Sequence, residues 1–156
     1  GDHVRLLLAR LDPESALLAR AASGRIPLHF AAAHGNCETL LALLRAADQT
    51  ESSPSPLRSK QLAAQDLKKR TALHTAAAAG HVQAALLLVE SGADPALPDV
   101  DGCTALHLAV ANQEEEVTAA LLACPAVAAH VNHKDSHGQT CLHLAAGTGS
   151  PRVITL

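Results

Sequence analysis

Apolar residues recur along this chain in blocks of helical length separated by glycine and polar breaks. Leu40, Leu43 and Leu44 fall on one face of a helix. Val4, Leu6, Leu7 and Leu8 read the same way near the start. Ahead of such a block stands a shorter one, with Ala31 to His34 completing a helix that Gly35 breaks, and Gly24 serves the tight turn before it. The short block carries a signature. Thr71-Ala72-Leu73-His74 returns as Ile26-Pro27-Leu28-His29, Thr104-Ala105-Leu106-His107 and Thr140-Cys141-Leu142-His143, and each copy is followed one residue later by Ala31, Ala76, Ala109 or Ala145. The leucines are spaced by 45, 33 and 36 residues, from Leu28 to Leu73, to Leu106 and to Leu142. The pattern predicts an all-α stack of helix-turn-helix units rather than a domain with one central core.

Four copies of this signature, together with Gly92-Ala93-Asp94, resemble the ankyrin-repeat family over nearly the whole chain. The resemblance implies a solenoid of helix pairs with short β-hairpin or turn fingers. On that pattern the units are 1–20 (partial), 21–65 (with an inserted loop at about 47–60), 66–98, 99–134 and 135–156 (partial). Incomplete units and uncovered apolar positions at both ends predict a piece of a longer stack.

Each motif has a physical reading of its own. Thr71, Thr104 and Thr140 are placed as helix N-caps, and Pro27 suits a first helical position. Ile26 lacks the hydroxyl, so its unit is expected to lose roughly 0.5–2 kcal/mol of capping. The leucines point between neighbouring units, and the four histidines, repeated in every unit, are structural. Lys69 stands where Gly102 and Gly138 stand, and costs on the order of 1 kcal/mol if that turn needs positive φ. Gln113 stands where Gly35 and Gly80 stand. Glu114, Glu115 and Glu116 suit the positive end of a helix dipole. Ala47 to Lys60, rich in serine, proline and charge, reads as a solvent-exposed excursion, and its Ser53-Pro54 and Ser55-Pro56 have the form of proline-directed phosphorylation sites.

Composition then narrows the function. Only 1% of the residues are aromatic and the net charge is −3, so neither stacking platforms nor a general attraction to nucleic acid is offered. The chain shows no apolar run of membrane-spanning length, no leader and no C-x-x-C pair, which suits an intracellular protein of the cytoplasm or nucleus. It also shows no phosphate loop, activated nucleophile or paired carboxylates, so neither an enzyme nor a cofactor is expected. His130, His133 and His137, with Cys141 and His143 nearby, raise zinc as a candidate; a site needs ligands converging on one point, and His143 is assigned to packing, so no metal is expected.

The resemblance implies instead a concave surface for a protein or peptide. Its fingers would present Ser23 and Arg25, then Lys68 and Arg70, then Val100, Asp101 and Cys103, then Ser136, His137 and Gln139. Its first-helix floor would include Ala33, His34, Ala78, Ala79, Ala111, Asn112, Gly147 and Thr148. Arg25, Lys68 and Arg70, with Arg58, Lys60 and Lys69 nearby, favour an acidic or phosphorylated partner. More narrowly, Gly92 to Leu97, Asp101 to Thr104 and the lengthened units resemble inhibitors of Rel-type transcription factors, the IκB-like group.

Overall fold

The computed structural model describes residues 2–10, 12–49, 56–149 and 151–154. The described residues form twelve helices and no strand: α1 (Asp2–Leu8), α2 (Pro13–Leu17), α3 (Pro27–Ala33), α4 (Cys37–Asp48), α5 (Pro56–Ala63), α6 (Ala72–Ala78), α7 (Val82–Glu90), α8 (Ala105–Ala111), α9 (Glu115–Leu122), α10 (Pro125–Ala128), α11 (Cys141–Thr148) and α12 (Pro151–Ile154). Two layers result. One runs α3, α6, α8, α11 and the other α1, α4, α7, α9, α12, each helix touching the next in its row. The all-α solenoid expected from the repeats is the fold, and its fingers are turns.

Side-chain size explains how thin the layers are. Ala32, Ala76, Ala77, Ala84, Ala85 and Ala109 are buried to 1% exposure or less, so helices approach closely and the larger Leu28, Leu40, Leu73 and Leu88 fill what remains. Between paired helices the chain must turn with positive φ, which Gly35 (64°) and Gly80 (78°) adopt without strain. Gln113 takes the same place at φ 60°. The next helices open as their sequences require: Asn36 caps α4 by accepting from the Thr39 amide at 3.1 Å, and Glu115 and Glu116 occupy the first turn of α9.

Among the described residues, part of the surplus of the long units forms extra helices. Ala47–Lys60 was expected in solvent, and residues 50–55 of it lie outside the described residues; at its two ends, however, α4 continues to Asp48 with Ala47 buried, and α5 packs on α4 with Leu57, Gln61 and Leu62 buried. Arg58 pairs with Asp48 at 2.6 Å across the junction. Ser53-Pro54 and Ser55 lie outside the described residues. The same device recurs twice, because α2 also packs on α4, burying Leu17, and α10 packs on α9, burying Val127. All three extra helices begin at a proline, whose missing amide costs nothing at a helix start. A second correction concerns Leu142. Leu28, Leu73 and Leu106 are buried between units as expected, but Leu142 is 61% exposed, because no described element covers that side of α11.

Candidate functional site

The fingers are built by a repeated aspartate. In the 66–71 finger the Asp66 amide donates to Arg70 O and the Lys69 amide to Asp66 O, closing the turn, while Asp66 Oδ1 accepts the amides of Lys68 (2.8 Å) and Arg70 (2.9 Å). Asp99 treats Asp101 and Cys103 in the same way, and Asp135 treats His137 and Gln139. Consecutive fingers are joined by one amide each: Leu67 to Ser23 O (3.1 Å), Val100 to Lys68 O (3.0 Å) and Ser136 to Asp101 O (2.9 Å).

The histidine after each finger fixes it to the helix behind. His74 Nδ1 accepts the Thr71 amide at 3.2 Å, so that nitrogen carries no proton; the proton sits on Nε2, which donates to Cys103 O of the next finger at 3.1 Å. The Thr71 hydroxyl meets the same Nδ1 at 2.9 Å, completing a capping box. His29 repeats the bridge, with Nδ1 accepting the Ile26 amide and Nε2 donating to Arg70 O at 2.9 Å. Ile26 brings no hydroxyl but is fully buried, and that apolar burial, worth about 1.5–3 kcal/mol, offsets the missing cap bond. At His107 the cap is intact, but Nε2 is buried without a partner in hydrogen-bond geometry, although the Gln139 and His133 backbones lie near enough to favour its protonation. Burial holds all three rings below the ordinary histidine pKa of 6.5.

The expected basic edge is therefore not free. Arg25 Nε and Arg70 Nη2 lie 3.5 and 3.4 Å from Asp66 Oδ2, whose side chain is only 3% exposed. Burial alone would raise the Asp66 carboxyl; the Arg70 and Lys68 amides and the Arg70 guanidinium outweigh it and hold the pKa below its ordinary value. Reversing Arg25 and Arg70 would thus set further carboxylates against a buried one and weaken the fold together with any binding. Lys68, by contrast, is exposed, as are Ser23, Asp101, His137 and Gln139. On the floor, His34 is exposed with its ring on Phe30 O at 2.8 Å, and Asn112 spends its amide on Ala78 O at 3.0 Å, tying two units together.

Three apolar residues stand exposed on this face, and two of them, Leu67 and Phe30, were missed from the sequence. Leu67 and Val100 occupy equivalent places just after the finger aspartates and stand 75% and 51% exposed, while Phe30, 44% exposed, lies one turn before His34 on α3. Aligning the fingers would have found Leu67, since Val100 was already picked out. Among the described residues no three of His, Cys, Asp and Glu converge on a metal position; His107 and His133 meet ring edge to face at 6.1 Å. Cys103 is pushed up to about 11 by burial first and then by Asp99, Asp135 and Asp101, and Cys141 to about 12 by burial first and then by Cys103 and Asp135, so neither is a nucleophile near neutral pH.

A family model described as ankyrin repeats (3 copies) matches residues 28–135 and 96–156. The chain belongs to the ankyrin-repeat family. Among curated proteins, this ankyrin chain is 42% identical to the putative palmitoyltransferase ZDHHC13 of Danio rerio over 49% of its length, covering 11% of that protein. It is 34% identical to inversin of Homo sapiens over 96% of its length, covering 17% of that protein. It is 35% identical to the RelA-associated inhibitor of Mus musculus over 51% of its length, covering 9% of that protein. It spans less than a fifth of each. Ankyrin repeats form protein-interaction modules rather than catalytic centres, and no helix among the described residues is long and apolar enough to cross a membrane.

Proposed function

We propose that this ankyrin stack binds a partner protein across its fingertips and the adjoining first-helix face. The observation that carries the reading is the pair Leu67 and Val100, exposed on adjacent fingers that the Val100 amide locks together. More than half of each residue faces solvent, and apolar side chains at such tips gain by meeting another surface. Phe30 supplies the aromatic anchor on the floor below, and the exposed Lys68 favours carboxylates or phosphates on the partner. Four free thiols suit a reducing cytoplasm or nucleus. In surface-immobilised binding to the partner, Leu67→Ser with Val100→Ser is expected to weaken affinity at least about tenfold, or about 1.4 kcal/mol, with an unchanged unfolding midpoint. Undiminished binding by this double variant refutes the tip surface.

A second reading names the partner class. Similarity to a RelA-associated inhibitor favours a Rel-type transcription factor, and binding to isolated Rel-homology domains decides it. No retention at micromolar concentration rejects that partner and leaves the surface proposal intact.

A further inference from the structure

We propose a second docking surface, a cleft behind the 66–70 finger that takes an acidic segment of a protein partner. The inference rests on the reading of this chain as a protein-binding module and adds a site to it. The cleft, of about 600 Å³, opens between the end of α5, the residues after α2 and the base of the finger, and no residue of α3, α6 or α8 lines it. It is therefore separate from the first-helix floor.

Charge identifies the occupant. Arg20, Lys60 and Lys69 line the cleft, in a chain whose net charge is −3. Asp66 is the carboxylate among the lining residues, and it is already held by Arg25, Arg70 and two amides. Arg20 is fixed in place, with Nη1 donating to Gly24 O at 2.9 Å and Gln65 O at 2.7 Å. Lys60 shows what the rim accepts: its Nζ holds the Glu14 carboxylate at 3.2 Å, both groups about 60% exposed (59% and 61%), a pair loose enough for a ligand carboxylate to exchange with. Ala63 and Ala64 form a low wall over which a peptide backbone can pass closely, and Leu18 adds an apolar contact. Lys69 holds its place against conformational preference, at φ 56° where Gly24, Gly102 and Gly138 adopt 75°, 74° and 76°. Glycine would relieve that turn and leave the cleft one cation poorer.

That last point separates binding from folding. The probe is a fluorescent glutamate-rich peptide carrying two leucines, compared by anisotropy with the same peptide bearing glutamine for glutamate. The acidic peptide is expected to bind and the neutral one to fail, with affinity falling as salt is added. Lys69→Gly is expected to raise the unfolding midpoint while weakening peptide binding about threefold to fivefold, and Lys60→Gln to weaken it similarly, each the contribution of one exposed cation. Three results overturn the proposal: equal binding of both peptides, undiminished binding by these two variants, or equal binding of a single-stranded oligonucleotide, which marks plain charge attraction. The assay does not use Leu67 and Val100. Failure of the peptide to bind removes the cleft alone, and a null result with the Leu67→Ser, Val100→Ser variant removes the fingertip surface alone.

Discussion

A finger of this stack is an aspartate with a turn wrapped around it. Oδ1 of Asp66, Asp99 and Asp135 takes two amides each, while the first finger has Ala21 at the same place and offers the Ser23 and Arg25 amides nothing comparable. Ala21→Asp restores the missing acceptor and brings a carboxylate near Arg25. It is expected to stabilise the protein by about 1 kcal/mol, the usual net value of such a bond, read as a shift in the denaturant midpoint. An unchanged midpoint would mean that those amides are as well served by water. Much at this scale was legible in advance, because Thr, Leu and His repeat with their reasons attached. The engagement of Arg25 and Arg70 was not, since a charged residue in a turn reads identically whether it faces a partner or an aspartate, which lies 41 residues from Arg25 and 4 from Arg70.

At the scale of the element, the helix pairs could be read from the spacing of leucines and glycines, and the third helices could not. Ala47–Lys60 is dominated by polar residues, so Leu57 and the following Leu62 carry no visible periodicity, although Pro13, Pro56 and Pro125 were present as starts. The packing of α5 has a measurable consequence. Replacing residues 49–59 by a glycine-serine link removes the start of α5, the buried Leu57 and the Arg58 partner of Asp48. Loop entropy alone would predict almost no change; loss of a buried leucine is expected to cost about 2–5 kcal/mol. Circular dichroism should lose helical signal, and retention of both signal and midpoint would return the segment to the status of a plain insertion.

For the whole molecule the histidines set a pH range. His29, His74 and His107 have folded-state pKa values lowered from 6.5 by burial, so the unfolded chain binds protons more readily than the folded one. Their contribution is complete above about pH 6.5 and is lost as pH falls below it toward the lowered values. Asp66, also lowered, adds a further loss at more acid pH, below its ordinary 3.8. Stability measured from neutral pH downward should therefore decline well before the carboxylates titrate, and a flat profile between pH 7 and about 5 would show that these rings gain their protons without cost. Since His29 and His74 fasten two consecutive junctions in the same way, and His107 is buried at the next, the loss should spread over the middle of the stack rather than release one end.

The accounting of amides in the fingers has a consequence for recognition. From 66 to 71, from 99 to 104 and from 135 to 140, every backbone N–H is already engaged, by the finger aspartate, by the turn, by the neighbouring finger or by a histidine ring. A row of tips so closed offers no edge on which another strand could add itself, by design or by accident. What a partner reads there is spelled only in side chains, so the vocabulary of the surface can be rewritten residue by residue while the grammar of the backbone stays the same.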